Sequence, residues 1–92
     1  MVEKFEWDEA KSERNRAERG FDFEFAKRIF EGDVLERVDA RRDYGEERIV
    51  AFGKIEDEVV AIVYTRRGTA RRIISARRAS RKEREAYHKS FH

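Results

Sequence analysis

From Arg48 to Ala76 the sequence leaves little room for anything but a strand meander. "RIVAFGKI" (Arg48–Ile55), "VVAIVYT" (Val59–Thr65) and "RRIISA" (Arg71–Ala76) are separated only by "EDE" and by the "RRGT" turn at Gly68. β-Branched residues dominate these runs, which suits a pleated, half-buried surface, and turns this short join antiparallel neighbours. An earlier run, "VLERVDA" (Val34–Ala40), is closed by the turn signal "DYGE". The expected centre of the molecule is an antiparallel sheet of about four strands.

Helical signals lie on either side. "KFEW" (Lys4–Trp7) is short and alternating, as an edge strand would be, and Asp8 is placed to cap "EAKSERNRAER", with Gly20 as its stop. Asp22 then caps a second helix, in which Phe21, Phe25 and Ile29 are four apart beside Ala26 and Phe30, up to Gly32. Ser80 and Glu83 form the S-x-x-E capping box of a last helix running through Tyr87. Strands grouped apart from helices predict an α+β layer arrangement, with the helices on one sheet face and the other face open. Strict alternation places Arg72, Ile74, Ala76 and Arg78 on one side of the last strand and Arg71, Ile73, Ser75 and Arg77 on the other.

At 92 residues the chain reads as one domain, 1–92, with one modest core. Charged residues make up 46% of it, enough to suggest disorder were the apolar residues scattered, but these fall in periodic clusters and the chain is expected to fold. It contains no cysteine, which excludes disulfides and thiolate metal sites. No apolar run approaches a membrane span and no signal-peptide pattern opens the chain, so a soluble cytoplasmic protein without membrane contact is expected. Asp8, Glu9 and Glu13 fit a solvated helix better than a metal site, and neither metal nor cofactor is expected.

Charge is unevenly spread. Residues 1–64 carry 12 Lys or Arg against 18 Asp or Glu, whereas residues 65–92 carry 10 against 2. A run of this kind is a solvated face or an electrostatic footprint for phosphates or an acidic partner.

"WDEAKSERN" (Trp7–Asn15) and "RIISARRASRKEREAY" (Arg72–Tyr87) have the spacings W-D-x-x-K-x-x-x-N and R-x-I-S-A-R-x-A-x-x-x-E-x-x-x-Y. In this combination, across Phe5 to Tyr87, the chain resembles the BrnT family of small toxins. The resemblance implies a RelE-like fold and an RNA-cleaving toxin that stops translation. It also implies a BrnA-type antitoxin partner, with DNA met only indirectly through that antitoxin. One departure is local: where family members often read K-H-G this chain has "ERG", so Arg19 stands in place of a histidine.

Metal-free RNA cleavage needs a base for the 2′-hydroxyl, cations for the phosphorane-like charge and an acid for the leaving oxygen. Guanidinium suits the second task, because it holds phosphate oxygens two at a time and keeps its proton. Arg72, Arg77 and Arg78, on or beside a strand, are the candidates, with Arg66, Arg67, Arg71 and Arg81 as RNA-binding neighbours. Both histidines, His88 and His92, fall in the last five residues. Lys11, Glu47, Tyr64 and Tyr87 are then the candidates for proton transfer, although Tyr64 and Tyr87 equally suit a core. A non-catalytic RNA- or protein-binding module using the same basic surface is the alternative.

Overall fold

The computed structural model describes residues 4–39 and 45–91. Chain order is β1 (Lys4–Trp7), α1 (Glu9–Arg19), α2 (Phe23–Ala26), a 3₁₀ turn (Lys27–Glu31), β2 (Val34–Val38), β3 (Ile49–Ile55), β4 (Glu58–Arg67), β5 (Ala70–Arg78) and α3 (Arg81–Ser90). Ala40 and the Asp43–Tyr44 part of the "DYGE" turn lie outside the described residues. Among those described, no helix is long and apolar enough to cross a membrane.

The meander is present, but the sheet has five strands and is mixed. Its order is β1-β5-β4-β3-β2, with β2 to β5 antiparallel. β1 runs parallel to β5, Lys4 opposite Ala70 and Trp7 opposite Ile73. The expected four antiparallel strands are therefore corrected by one. The helical segment after Trp7 lies between β1 and the next strand in the chain, so β1 can join the far edge in the parallel sense.

Both faces of the sheet are covered, which corrects the expectation of helices on one side only. On the first face Phe21, Phe23, Ala26 and Ile29 pack against Ala51, Ile62, Tyr64, Ile73 and Ala76. On the second, α3 lays Tyr87 over Val50, Phe52, Val59 and Ala61. Apolar residues at successive positions of β3 and β4 permit this, since a strand buried on both faces need not alternate in polarity. Ala86, next to Tyr87 in α3, is exposed.

Local chemistry fixes the helices. Asp8 accepts from the Ala10 and Lys11 amides, and Gly20, at φ +90°, closes α1 with its amide bonded to the Arg16 carbonyl. In the left-handed region glycine meets no Cβ penalty. Two buried polar side chains join α1 to the start of α2: Asn15 Nδ2 donates to the Phe21 carbonyl at 2.8 Å, and the Phe23 amide donates to Ser12 Oγ at 3.0 Å. The second helix is shorter than its apolar spacing suggested, passing into the 3₁₀ turn after Ala26. Trp7 meets Phe23 edge to face and serves the core.

That 3₁₀ turn crosses β3 at Gly53, where a Cβ would stand 2.5 Å from Ile29 Cβ and 3.1 Å from the Ile29 carbonyl oxygen. Gly53→Ala is expected to destabilise the fold by about 1–3 kcal/mol, as overpacking does. Urea denaturation checks this, and an unchanged midpoint would contradict the close crossing.

Candidate functional site

A bulge decides which arginine faces where. Val63 is opposite Ser75 and Tyr64 opposite Ile73, leaving Ile74 as an extra residue in β5. One inserted residue reverses the facing of everything beyond it. Arg71, Ile73, Ala76 and Arg78 consequently share the α1/α2 face, while Arg72, Ser75 and Arg77 share the α3 face. Contacts agree with the register: Arg71 lies over the Phe30 ring at 4.3 Å, Arg78 over Phe21 at 5.5 Å, and Arg77 bonds Glu83 of α3. The strict alternation expected for this strand is corrected at Ile74.

On the α3 face, the rows that α3 covers only in part form a cleft of about 570 Å³. Its floor is one register row across four strands, Arg37–Val50–Val63–Ser75. The neighbouring row, Leu35–Phe52–Ala61–Arg77, brings in Arg77. Arg19 reaches the cleft from the C-terminal end of α1, and Asp39 and Glu83 also line it. The lining thus has three guanidiniums and two carboxylates around an apolar floor. Anionic groups at the rim and a ribose or base below match that chemistry. No histidine among the described residues lines it. Among the described residues no group of three or more His, Cys, Asp or Glu could hold a metal ion.

Glu83 is the electrostatic centre of the cleft wall. Arg77 donates Nη1 to its Oε1 at 2.7 Å and Nη2 to its Oε2 at 3.0 Å, and Arg37 Nη2 lies 3.7 Å from Oε2. The same carboxylate accepts the Ser80 amide at 2.8 Å, while the Glu83 amide donates to Ser80 Oγ, so one side chain serves both capping box and ion pair. Arg77's hydrogen bonds, outweighing the opposing effect of burial, lower the Glu83 pKa to about 2.

Other candidates from the sequence are elsewhere. Arg78 bonds Glu58 Oε2 at 3.0 Å and the Arg19 carbonyl at 3.2 Å, clasping the end of α1 to the start of β4. Arg72 is on the cleft face but at its β1 end, 3.4 Å from Glu6. Arg66 lies over the Tyr64 ring, Arg67 is 3.6 Å from Glu46, and Arg81 is 3.5 Å from Glu85. Tyr64 is fully buried on the opposite face and donates to Glu36 at 2.6 Å. Burial first, then that bond, raises its pKa. The Tyr87 hydroxyl donates to the Asp33 carbonyl, and burial raises its pKa too. Lys11 and Glu47 are exposed, and Glu47 offers its carbonyl to Thr65 Oγ1.

Of the expected catalytic set, only Arg77 enters the cleft. The cleft also holds Arg37, Ser75, Asp39 and Glu83, which are not among the sequence candidates, and Arg19, which stands in place of a histidine. The available signal was Glu83 three residues past an N-cap serine and six past an arginine, which places a carboxylate beside both.

Comparison with known proteins agrees with this architecture. A family model described as "Ribonuclease toxin, BrnT, of type II toxin-antitoxin system" matches residues 7–83. The crystal structure of the Brucella abortus ribonuclease toxin BrnT aligns with a TM-score of 0.63 and 27% identity, covering 87% of this chain and 100% of that one. No curated protein sequence matches.

The Glu83 pairing predicts an acid limb. Its carboxyl titrates near 2 folded against an ordinary 4.5, so its stabilisation is complete above about pH 4.5 and is lost as pH falls toward 2. The loss is on the order of 3 kcal/mol. Denaturation midpoints from pH 6 to 2 are expected to fall more steeply for the parent than for Glu83→Gln, and parallel curves would contradict the pairing.

Proposed function

The chain belongs to the BrnT family of ribonuclease toxins of type II toxin–antitoxin systems, and we propose that it cuts RNA internally and without a metal, in the cleft between β2, β5 and α3. The observation carrying this reading is the convergence of Arg19, Arg37 and Arg77 on an open, concave sheet surface. An RNA phosphate seated there would have its non-bridging oxygens among guanidiniums that stay protonated at any working pH. As the 2′-oxygen attacks phosphorus, the P–O5′ bond breaks, giving a 2′,3′-cyclic phosphate and a 5′-hydroxyl end. Negative charge grows on the oxygens the arginines hold, the situation in which preorganised donors lower a barrier most.

Lys11, Glu47, Tyr64 and Tyr87 stand outside the cleft, and among the described residues no histidine lines it. We read charge stabilisation and orientation by these arginines as the main source of rate. Turnover should then be slow, with a shallow pH dependence near neutrality. Membership of a type II system implies an antitoxin and an RNA target. We read the antitoxin as BrnA-like and as covering the cleft, where Val38 is 55% exposed beside Arg37. A complex that left Arg37 and Arg77 open to solvent would contradict that.

Arg77→Ala is expected to lower RNA cleavage by about 10²-fold, as loss of one preorganised donor does. Arg77→Lys should recover part of it, keeping charge without the fork. Arg19→Ala and Arg37→Ala should act mainly through RNA affinity, each lowering the salt slope by about one. Arg78→Ala should instead lower the melting temperature, with the folded fraction cleaving at the parent rate. Parent-rate cleavage by folded Arg77→Ala would overturn this reading.

A further inference from the structure

Two of the cleft's arginines, Arg37 and Arg77, meet one carboxylate, that of Glu83. We propose that Glu83 is a positioning residue, fixing the planes of Arg77 and Arg37 so that both present donors to one RNA phosphate. The proposal rests on the reading of the cleft as the cleavage site.

Geometry carries it. A guanidinium on a flexible stem is fixed by two parallel bonds to one carboxylate, and Arg77 makes both, at 2.7 and 3.0 Å. Its Nη1 also donates to the Arg78 carbonyl at 3.4 Å, which fixes the plane further. The same Oε2 lies 3.7 Å from Arg37 Nη2, so arginines of β2 and β5, on one face but separated by β3 and β4, are referred to one point. Glu83 is itself anchored by the Ser80 amide at 2.8 Å, and its side chain is only 16% exposed. It is thereby restrained from moving with the arginines onto a ligand. The depressed pKa of Glu83 accords with a carboxylate that stays charged throughout the working range.

Cap and clamp can be separated, because glutamine at the third helical position still closes a capping box while losing the charge. Steady-state cleavage of one single-stranded RNA should be compared for the parent, Glu83→Gln, Glu83→Asp, Arg77→Ala and the charge control Glu85→Gln, at a temperature where circular dichroism shows each folded. Glu83→Gln is expected to lower kcat by about tenfold or more, as misorientation of a stabilising group does. Its KM should hold or fall, since the cleft loses a negative charge. Glu85→Gln should match the parent. Unchanged or raised kcat in Glu83→Gln, while Arg77→Ala is impaired, would overturn the positioning role and leave the cleft reading intact. Parent-like kcat in Arg77→Ala would remove the cleft reading on which the proposal rests, and the proposal with it. If Glu83→Gln does not fold, Glu83→Asp decides: charge is retained but reach is shortened, so reduced kcat supports the proposal and equal kcat overturns it.

Discussion

The extra residue at Ile74 determines what this molecule can present to solvent. β4 is regular on both sides of Val63 and Tyr64, so its partner must absorb the mismatch, and β5 does so with one unpaired residue. Ile73 and Ala76 then both enter the core beneath α1 and α2, while Ser75 and Arg77 turn to the opposite face. Without the bulge, Ile73 and Ala76 could not share a face, and either Arg71 and Arg72 or Arg77 and Arg78 would exchange sides. Core packing and arginine placement are thus two results of one backbone irregularity. Two large apolar contacts enforce it, Ile73 against the helix-side cluster and Val63 against the opposite one.

A thin domain buried on both faces has little surface left for function. The first face is closed by aromatic packing, with Phe30 against both Phe5 and Tyr64 and Trp7 against Phe23. On the second face α3 covers the rows nearest its own start and leaves the Arg37–Val50–Val63–Ser75 row only partly covered, with Val50 buried and Arg37 exposed. The capping box ties these arrangements together: Ser80 ends the approach from β5, and Glu83 directs its carboxylate back to Arg77 and Arg37. Helix initiation and cleft electrostatics share that one side chain. On the reverse side Arg78 holds the end of α1 to the start of β4.

Much of this was legible in the sequence, because the signals were local. β-Branched runs and short turns marked the meander, Asp8, Asp22 and Ser80 marked helix starts, and the final helix begins where its S-x-x-E signature places it. The parallel partner of β1 and the covering of both faces were not legible, since they depend on how separated segments meet. The site was less readable for a related reason. Alternation misplaces arginines beyond a bulge, and "RIISARR" has neither Gly nor Pro to mark one. Arg37 gave no signal, because only the sheet register brings it across from Ser75. Tyr64, whose strand position suits a core as well as a site, is fully buried on the face away from the cleft.

The central claim is that RNA lies on the α3 face of the sheet rather than on the basic residues of the other face or of the β4–β5 turn. Titration of isotope-labelled protein with a 2′-O-methylated single-stranded oligonucleotide, which binds but lacks the attacking hydroxyl, tests it most directly by NMR. Shifts should concentrate at Arg19, Arg37, Val50, Val63, Ser75 and Arg77 and weaken steeply with salt. Shifts concentrated at Arg66, Arg71 and Arg78, with the Val50 and Val63 signals unmoved, would contradict the account.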